Sequence, residues 1–153
     1  MNTIAITWQD VPEPEWGRAV LPFLDAVLAQ LEHTNWDLSV VFCRDAFIHE
    51  LNKTYRRIDA PTDVLSFEQG DEYDDEDGNL RFNAGDIVIS LDSLRSNAET
   101  FNVTMNEELK RLLIHGILHL SGMDHSDNDP QQEMLQLQEK ILREYNSTVI
   151  YQE

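Results

Sequence analysis

Hydrophobic positions recur along the chain with two periods, and the switches between them sketch the elements. Residues Thr3–Trp8 (TIAITW) alternate polar and apolar, the period of a strand. Beyond Pro12 and Pro14, apolar residues fall at Trp16, Val20, Phe23, Leu24, Val27, Leu28 and Leu31, which is helical spacing. Pro22 inside that run must either kink the helix or mark its true first turn. Trp36–Cys43 reads as a second strand. Asp45 then caps a helix through Phe47, Ile48, Leu51 and Tyr55, ending before Ala60-Pro61. Asp63–Phe67 is a third strand, Gly85–Ser90 a fourth and Leu91–Phe101 a short helix. Between the third and fourth strands, seven of the ten residues from Glu68 to Asp77 are acidic, so Glu68 to Asn79 is expected to be a solvated loop. It lacks the ligand register of a calcium loop.

Thr104-Met-Asn-Glu107 fits a capping box, opening a helix with Leu109, Leu112, Leu113, Ile117 and Leu120 that stops near Gly122. Asp129-Pro130 restarts the chain as N-cap and first helical residue, with Gln132 at the third position. Met134, Leu137, Ile141, Leu142 and Tyr145 form that helix's apolar stripe. The order is βαβα, then ββ, then three helices. It predicts an α/β (α+β) fold, one domain over residues 1–153, with a small mixed four-stranded sheet packed with about five helices.

Composition narrows the classes. Hydrophobic residues make up 41% of the 153, too many for a disordered chain, and no apolar run is long enough to span a membrane. Eleven basic against 29 acidic residues give a net charge of -18. That field disfavours non-specific binding to nucleic acid or anionic membranes, without excluding a local basic site. Cys43 is the single cysteine, so no intramolecular disulfide forms. The first residues show neither the positive nor the apolar region of a signal peptide, and the expectation is a cytoplasmic enzyme or binding domain.

The chemistry concentrates in His115-Gly-Ile-Leu-His119-Leu-Ser-Gly122-Met-Asp124-His125. His115 and His119, four apart on the capped helix, project from one face. Gly122 permits the positive φ of a helix C-cap, letting the chain reverse and return His125 as a third ligand. Three neutral imidazoles suit one zinc ion per chain and leave a fourth position open, the arrangement of catalytic rather than structural zinc. The spacing matches that of the metzincin peptidases except that Gly116 stands where their general-base glutamate would be, which speaks against peptidase activity.

With two further segments, this motif resembles the signature of the YbeY family, bacterial endoribonucleases implicated in ribosomal RNA maturation. The segments are Leu51-Asn52-x-x-Tyr55-Arg56-x-x-Asp59-x-Pro61-Thr62-Asp63-Val64-Leu65-Ser66-Phe67 and Gly85-Asp86-Ile87-Val88-Ile89-Ser90. The resemblance runs from about Leu51 to Asp127. It implies a zincin-like fold, a divalent metal on His115, His119 and His125, and cleavage of single-stranded RNA. The implied role is ribosomal RNA 3′-end maturation and ribosome quality control, with the ribosome or its proteins as partners and no membrane. The family's functional arginine falls on Arg56. Chemically, its guanidinium can clamp a scissile phosphate, or it can simply answer a carboxylate such as Asp59. Lys53, Arg57, Lys110 and Arg111 lie beside Arg56 or on the histidine helix, and serve either an RNA surface or a solvated helix face.

Asp124 is expected to support a ligand histidine or to cap the turn. Asp86 reads as structural, His33 and His49 as surface or helix-end residues, and Cys43 as a buried strand residue rather than a nucleophile. The three tryptophans read as packing positions. Two other functions compete: a metallohydrolase of a peptide or small molecule, and a non-catalytic, metal-stabilised module that docks on the ribosome.

Overall fold

The computed structural model describes residues 1–124 and 132–152. Four strands, β1 (Thr3–Trp8), β2 (Trp36–Cys43), β3 (Val64–Asp74) and β4 (Leu80–Ser90), form one sheet in the order β1-β2-β4-β3. β1 and β4 run parallel to β2, while β3 runs antiparallel to β4 and is a free edge. Five helices complete the fold: α1 (Val20–Gln30), α2 (Asp45–Arg56), α3 (Leu91–Phe101), α4 (Met105–Leu120) and α5 (Glu133–Glu144). This is the expected mixed α/β architecture.

Strand alternation splits the apolar residues between two faces. Leu38, Val40, Phe42, Ile87 and Ile89 point to the main core, where they meet α1, α3, α4 and α5. Cys43, Leu65 and Val88 point the other way, under Ile48 of α2. Among the five α-helices, α2 alone contributes buried residues to that second cluster. Burial pushes the Cys43 thiol up to about 12, so it is an inert packing residue, as expected. The tryptophans pack too: Trp8 stacks on Phe42 with ring centroids 4.5 Å apart, and Trp16 meets both edge-on.

Several boundaries differ from expectation, each for a local reason. Glu15–Ala19 forms a 3-10 turn and α1 begins at Val20, so Pro22 sits in the first turn of α1, where its missing N–H costs nothing. Asp45 does not cap α2. Its carboxylate accepts from Ser90 Oγ and Ser93 Oγ, both at 2.6 Å, and its amide donates to Asp92 at 3.0 Å, leaving Arg44 at the N-cap with no side-chain bond to the helix amides.

The acidic stretch is mostly strand rather than loop. β3 continues to Asp74 and β4 starts at Leu80, so only Asp75–Asn79 turns, with Asp75 Oδ1 accepting from the amides of Asp77 and Asn79. Arg81 of β4 binds Asp37 at the start of β2 through Nη2 (2.7 Å) and Nε (3.0 Å), and Tyr73 Oη donates to the same carboxylate. These contacts tie the outer half of the hairpin to the sheet. Midway, the register shifts between Glu68 and Asp71, opposite Gly85. Gly85 has φ +127, and a Cβ there would lie 2.0 Å from Phe67 O, so only glycine permits the bulge.

Thr104 accepts from the Glu107 amide at 3.0 Å, giving α4 the first half of the expected capping box, while the Glu107 carboxylate accepts from Arg111 instead. The helix ends at Leu120, and Gly122 has the expected positive φ of 96. Asp129 and Pro130 lie outside the described residues. α5 starts at Glu133, and Gln132, with ψ 134, precedes the helix rather than occupying its third position.

Candidate active site

A cleft of about 860 Å³ follows the free edge of β3. One wall carries Tyr55 and Arg56 from the end of α2, the floor carries Val64 to Gln69, and the other wall carries His115, His119 and Gly122 to Asp124. The chain thus brings its arginine and two of its three motif histidines to one place.

Packing of the α2 end explains how Arg56 gets there. Asn52, buried on α2, donates its side-chain amide to Ala60 O (2.9 Å), while its own carbonyl accepts from the Ile58 amide (3.2 Å). Arg57 ends the helix in the left-handed conformation at φ 61. Arg56 then extends over the sheet edge: Nη2 donates to Ser66 O at 2.9 Å, and the guanidinium lies 5.0 Å from the centroid of the Phe67 ring. It is exposed, and it does not answer Asp59, whose carboxylate is 2.7 Å from His49 Nε2. Tyr55 packs edge-on against Phe67, with ring centroids 5.5 Å apart.

His115 and His119 face the cleft from α4 with their Nε2 atoms 3.1 Å apart. Two imidazoles bound at about 2.0–2.1 Å to one tetrahedral ion would hold those atoms about 3.3 Å apart, so the pair fits a zinc-class ion with little adjustment. His125 lies outside the described residues. Among the described residues no group of three or more His, Cys, Asp or Glu is placed to hold a metal. Asp124 Oδ1 is 4.0 Å from His119 Nδ1, beyond hydrogen-bond reach.

Gly116 has a steric explanation. A Cβ there would lie 2.7–2.9 Å from three atoms of Ile87, because α4 presses its backbone onto β4 at that point. Any larger side chain, a glutamate included, would have to displace the core before reaching the cleft. Peptide hydrolysis accordingly lacks its usual base here.

Two of the candidate basic residues serve the core rather than RNA. Lys110 is only 2% exposed and donates to the carbonyls of Tyr145 (2.7 Å) and Thr148 (2.8 Å), closing the end of α5. Arg111 is held by Glu107, Glu108 and Glu139 at 2.7–3.2 Å. Burial raises the Glu108 carboxyl above its ordinary range, an effect Arg111 only partly offsets. His33 is more than a helix-end residue: it stacks on Trp36 (centroids 4.1 Å) and its Nε2 meets Ser121 Oγ, at the C-cap of α4, at 2.9 Å.

One site neighbour escaped the sequence reading. Gln138 Oε1 lies 2.6 Å from His115 Nδ1, and Gln138 is buried on α5. Its signal was a polar residue on the apolar stripe, four after Met134 and three before Ile141.

The family profile described as endoribonuclease YbeY matches residues 3–146. A relative named endoribonuclease YbeY from Treponema denticola is 61% identical, covering 98% of this chain and 97% of its own. One of the same name from Treponema pallidum is 55% identical over 95% and 91%, and one from Borreliella burgdorferi 46% identical over 80% and 82%. The solution structure of TM1509 from Thermotoga maritima superposes with a TM-score of 0.65 at 28% identity, covering 95% of this chain and 91% of that one. With three motifs in order, the edge-strand cleft and a match across nearly its whole length, this chain belongs to the YbeY family of endoribonucleases.

Proposed function

We propose that residues 1–153 act as one endoribonuclease domain that cleaves single-stranded RNA with a divalent ion, zinc, held by His115, His119 and His125. The juxtaposition of Arg56 with His115 and His119 along one cleft supports this reading most strongly. When bound, the ion supplies a Lewis acid for the scissile phosphodiester. The chain's own contribution is positional. Arg56, braced by Ser66 O and the Phe67 ring, presents its remaining N–H donors to a phosphate entering the cleft and stabilises charge developing on its oxygens. The substrate is ribosomal RNA near its 3′ end, met in the cytoplasm on the ribosome or its proteins. With a net charge of -18, the chain gains little from non-specific attraction to RNA, which suits a substrate already held by another partner.

The test uses defined RNA of single-stranded, duplex and hairpin form, with product termini mapped. Cleavage confined to unpaired segments, abolished by a chelator and restored by zinc, is the expected result. Chelator-resistant cleavage, or no cleavage by fully zinc-loaded protein, would overturn the proposal.

A further inference from the structure

Gln138 reaches His115 as the end of a chain of polar contacts whose orientation is dictated from its far side. Arg111 holds Glu139 with two bonds, Nε to Oε2 at 3.0 Å and Nη2 to Oε1 at 3.2 Å. Burial tends to raise the Glu139 carboxyl, but hydrogen bonds from Arg111 and Gln138 outweigh it and hold it below its ordinary value. An ionised carboxylate only accepts, so the Gln138 group facing it, 3.1 Å from Glu139 Oε2, is the NH2. The amide's other end, Oε1, is thereby turned toward His115 Nδ1 at 2.6 Å. A carbonyl oxygen also only accepts. Nδ1 of a neutral His115 therefore carries the ring proton, and Nε2, the atom facing His119, carries the lone pair.

From this geometry we infer that Gln138 is a positioning residue for metal binding: relayed from the Arg111–Glu139 pair, its carbonyl fixes His115 in the Nδ1–H tautomer, with Nε2 ready to ligate. The inference rests on the proposed role of His115 as a ligand and adds the residue that prepares it. Removing such a partner commonly costs 10–100-fold in metal affinity. The same relay joins α4 to α5, so the ring's orientation depends on a contact 23 residues away in sequence.

The tautomer can be read in the metal-free protein, above the ordinary imidazole pKa of about 6.5, by long-range nitrogen–proton correlation spectra of the histidine rings. Wild-type protein is expected to show His115 protonated at Nδ1. Gln138→Met, which keeps the length and apolar packing but loses the acceptor, should populate the Nε2–H form and weaken zinc binding by about 10–100-fold. A wild-type His115 protonated at Nε2, measured without any variant, would overturn the inference. So would unchanged tautomer and affinity in Gln138→Met. Failure of wild-type protein to bind zinc would instead sink the ligand assignment and leave the tautomer result standing.

Discussion

At the scale of single residues, Arg56 carries the heaviest demand in the proposed chemistry. Its side chain is exposed and anchored by one backbone carbonyl, so Arg56→Ala should leave folding and metal content intact. Cleavage of single-stranded RNA should slow by about 100-fold or more, the scale of losing one preorganised donor. Arg56→Lys should recover little, because an ammonium lacks the two-pronged geometry and the stacking on Phe67. Rates under saturating and limiting RNA check both. Gly116 makes the complementary, structural prediction. Gly116→Ala should destabilise the fold by about 1–3 kcal/mol in urea melts, since its Cβ would overlap Ile87. Ile87→Val, by shortening the side chain it meets, should return part of that loss, and the double-mutant cycle measures how much.

Among the elements, α4 is pinned at both ends by bonds that packing alone does not supply. Thr104→Ala removes the oxygen that accepts from the Glu107 amide and should cost about 1 kcal/mol of stability. At the other end, His33 bridges the turn after α1 to Ser121, and burial lowers its pKa below 6.5. The folded state therefore resists a proton that the unfolded chain accepts. The His33 contribution is complete above about pH 6.5, declines as pH falls through the interval down to the lowered value, and then levels off. Urea midpoints measured from about pH 7 to 5 should fall less steeply in His33→Phe than in wild type, because phenylalanine keeps the stacking on Trp36 without titrating. The hairpin of β3 and β4 shows the same logic in a strand. Its acidic outer half stays paired because Arg81 and Tyr73 converge on Asp37 of the neighbouring strand β2.

For the molecule as a whole, the main core is assembled from β2, β4 and four helices, and neither His115 nor His119 is among its buried members. Removing a metal from those histidines should leave that core in place. Far-UV circular dichroism is therefore expected to change little on chelation. Global unfolding would instead mark a structural ion. Charge distribution sets the other global expectation. With Lys110 and Arg111 committed to internal partners, few cations remain beside Arg56. Affinity for RNA should fall with added salt, but with a shallow slope that reports few phosphate contacts.

By itself the sequence determined what is local. Alternation and helical spacing placed β1, β2 and α3 to the residue, because each period is a property of a few consecutive positions. The Thr104 cap, the turn at Gly122 and the shared face of His115 and His119 follow from spacings of three or four. Three motifs in order then identified the family. Tertiary structure decided whatever depends on partners distant along the chain. Asp45 reads as a helix cap until Ser90 and Ser93 claim its carboxylate. Residues 68–74 read as a loop until β4 pairs with them, and Lys110 reads as a surface cation until the carbonyls after α5 enclose it. Gln138 reads as an irregularity in an apolar stripe until His115 stands beside it. A solvated charge and a buried, satisfied one have the same letter, and only packing supplies the partner that separates them.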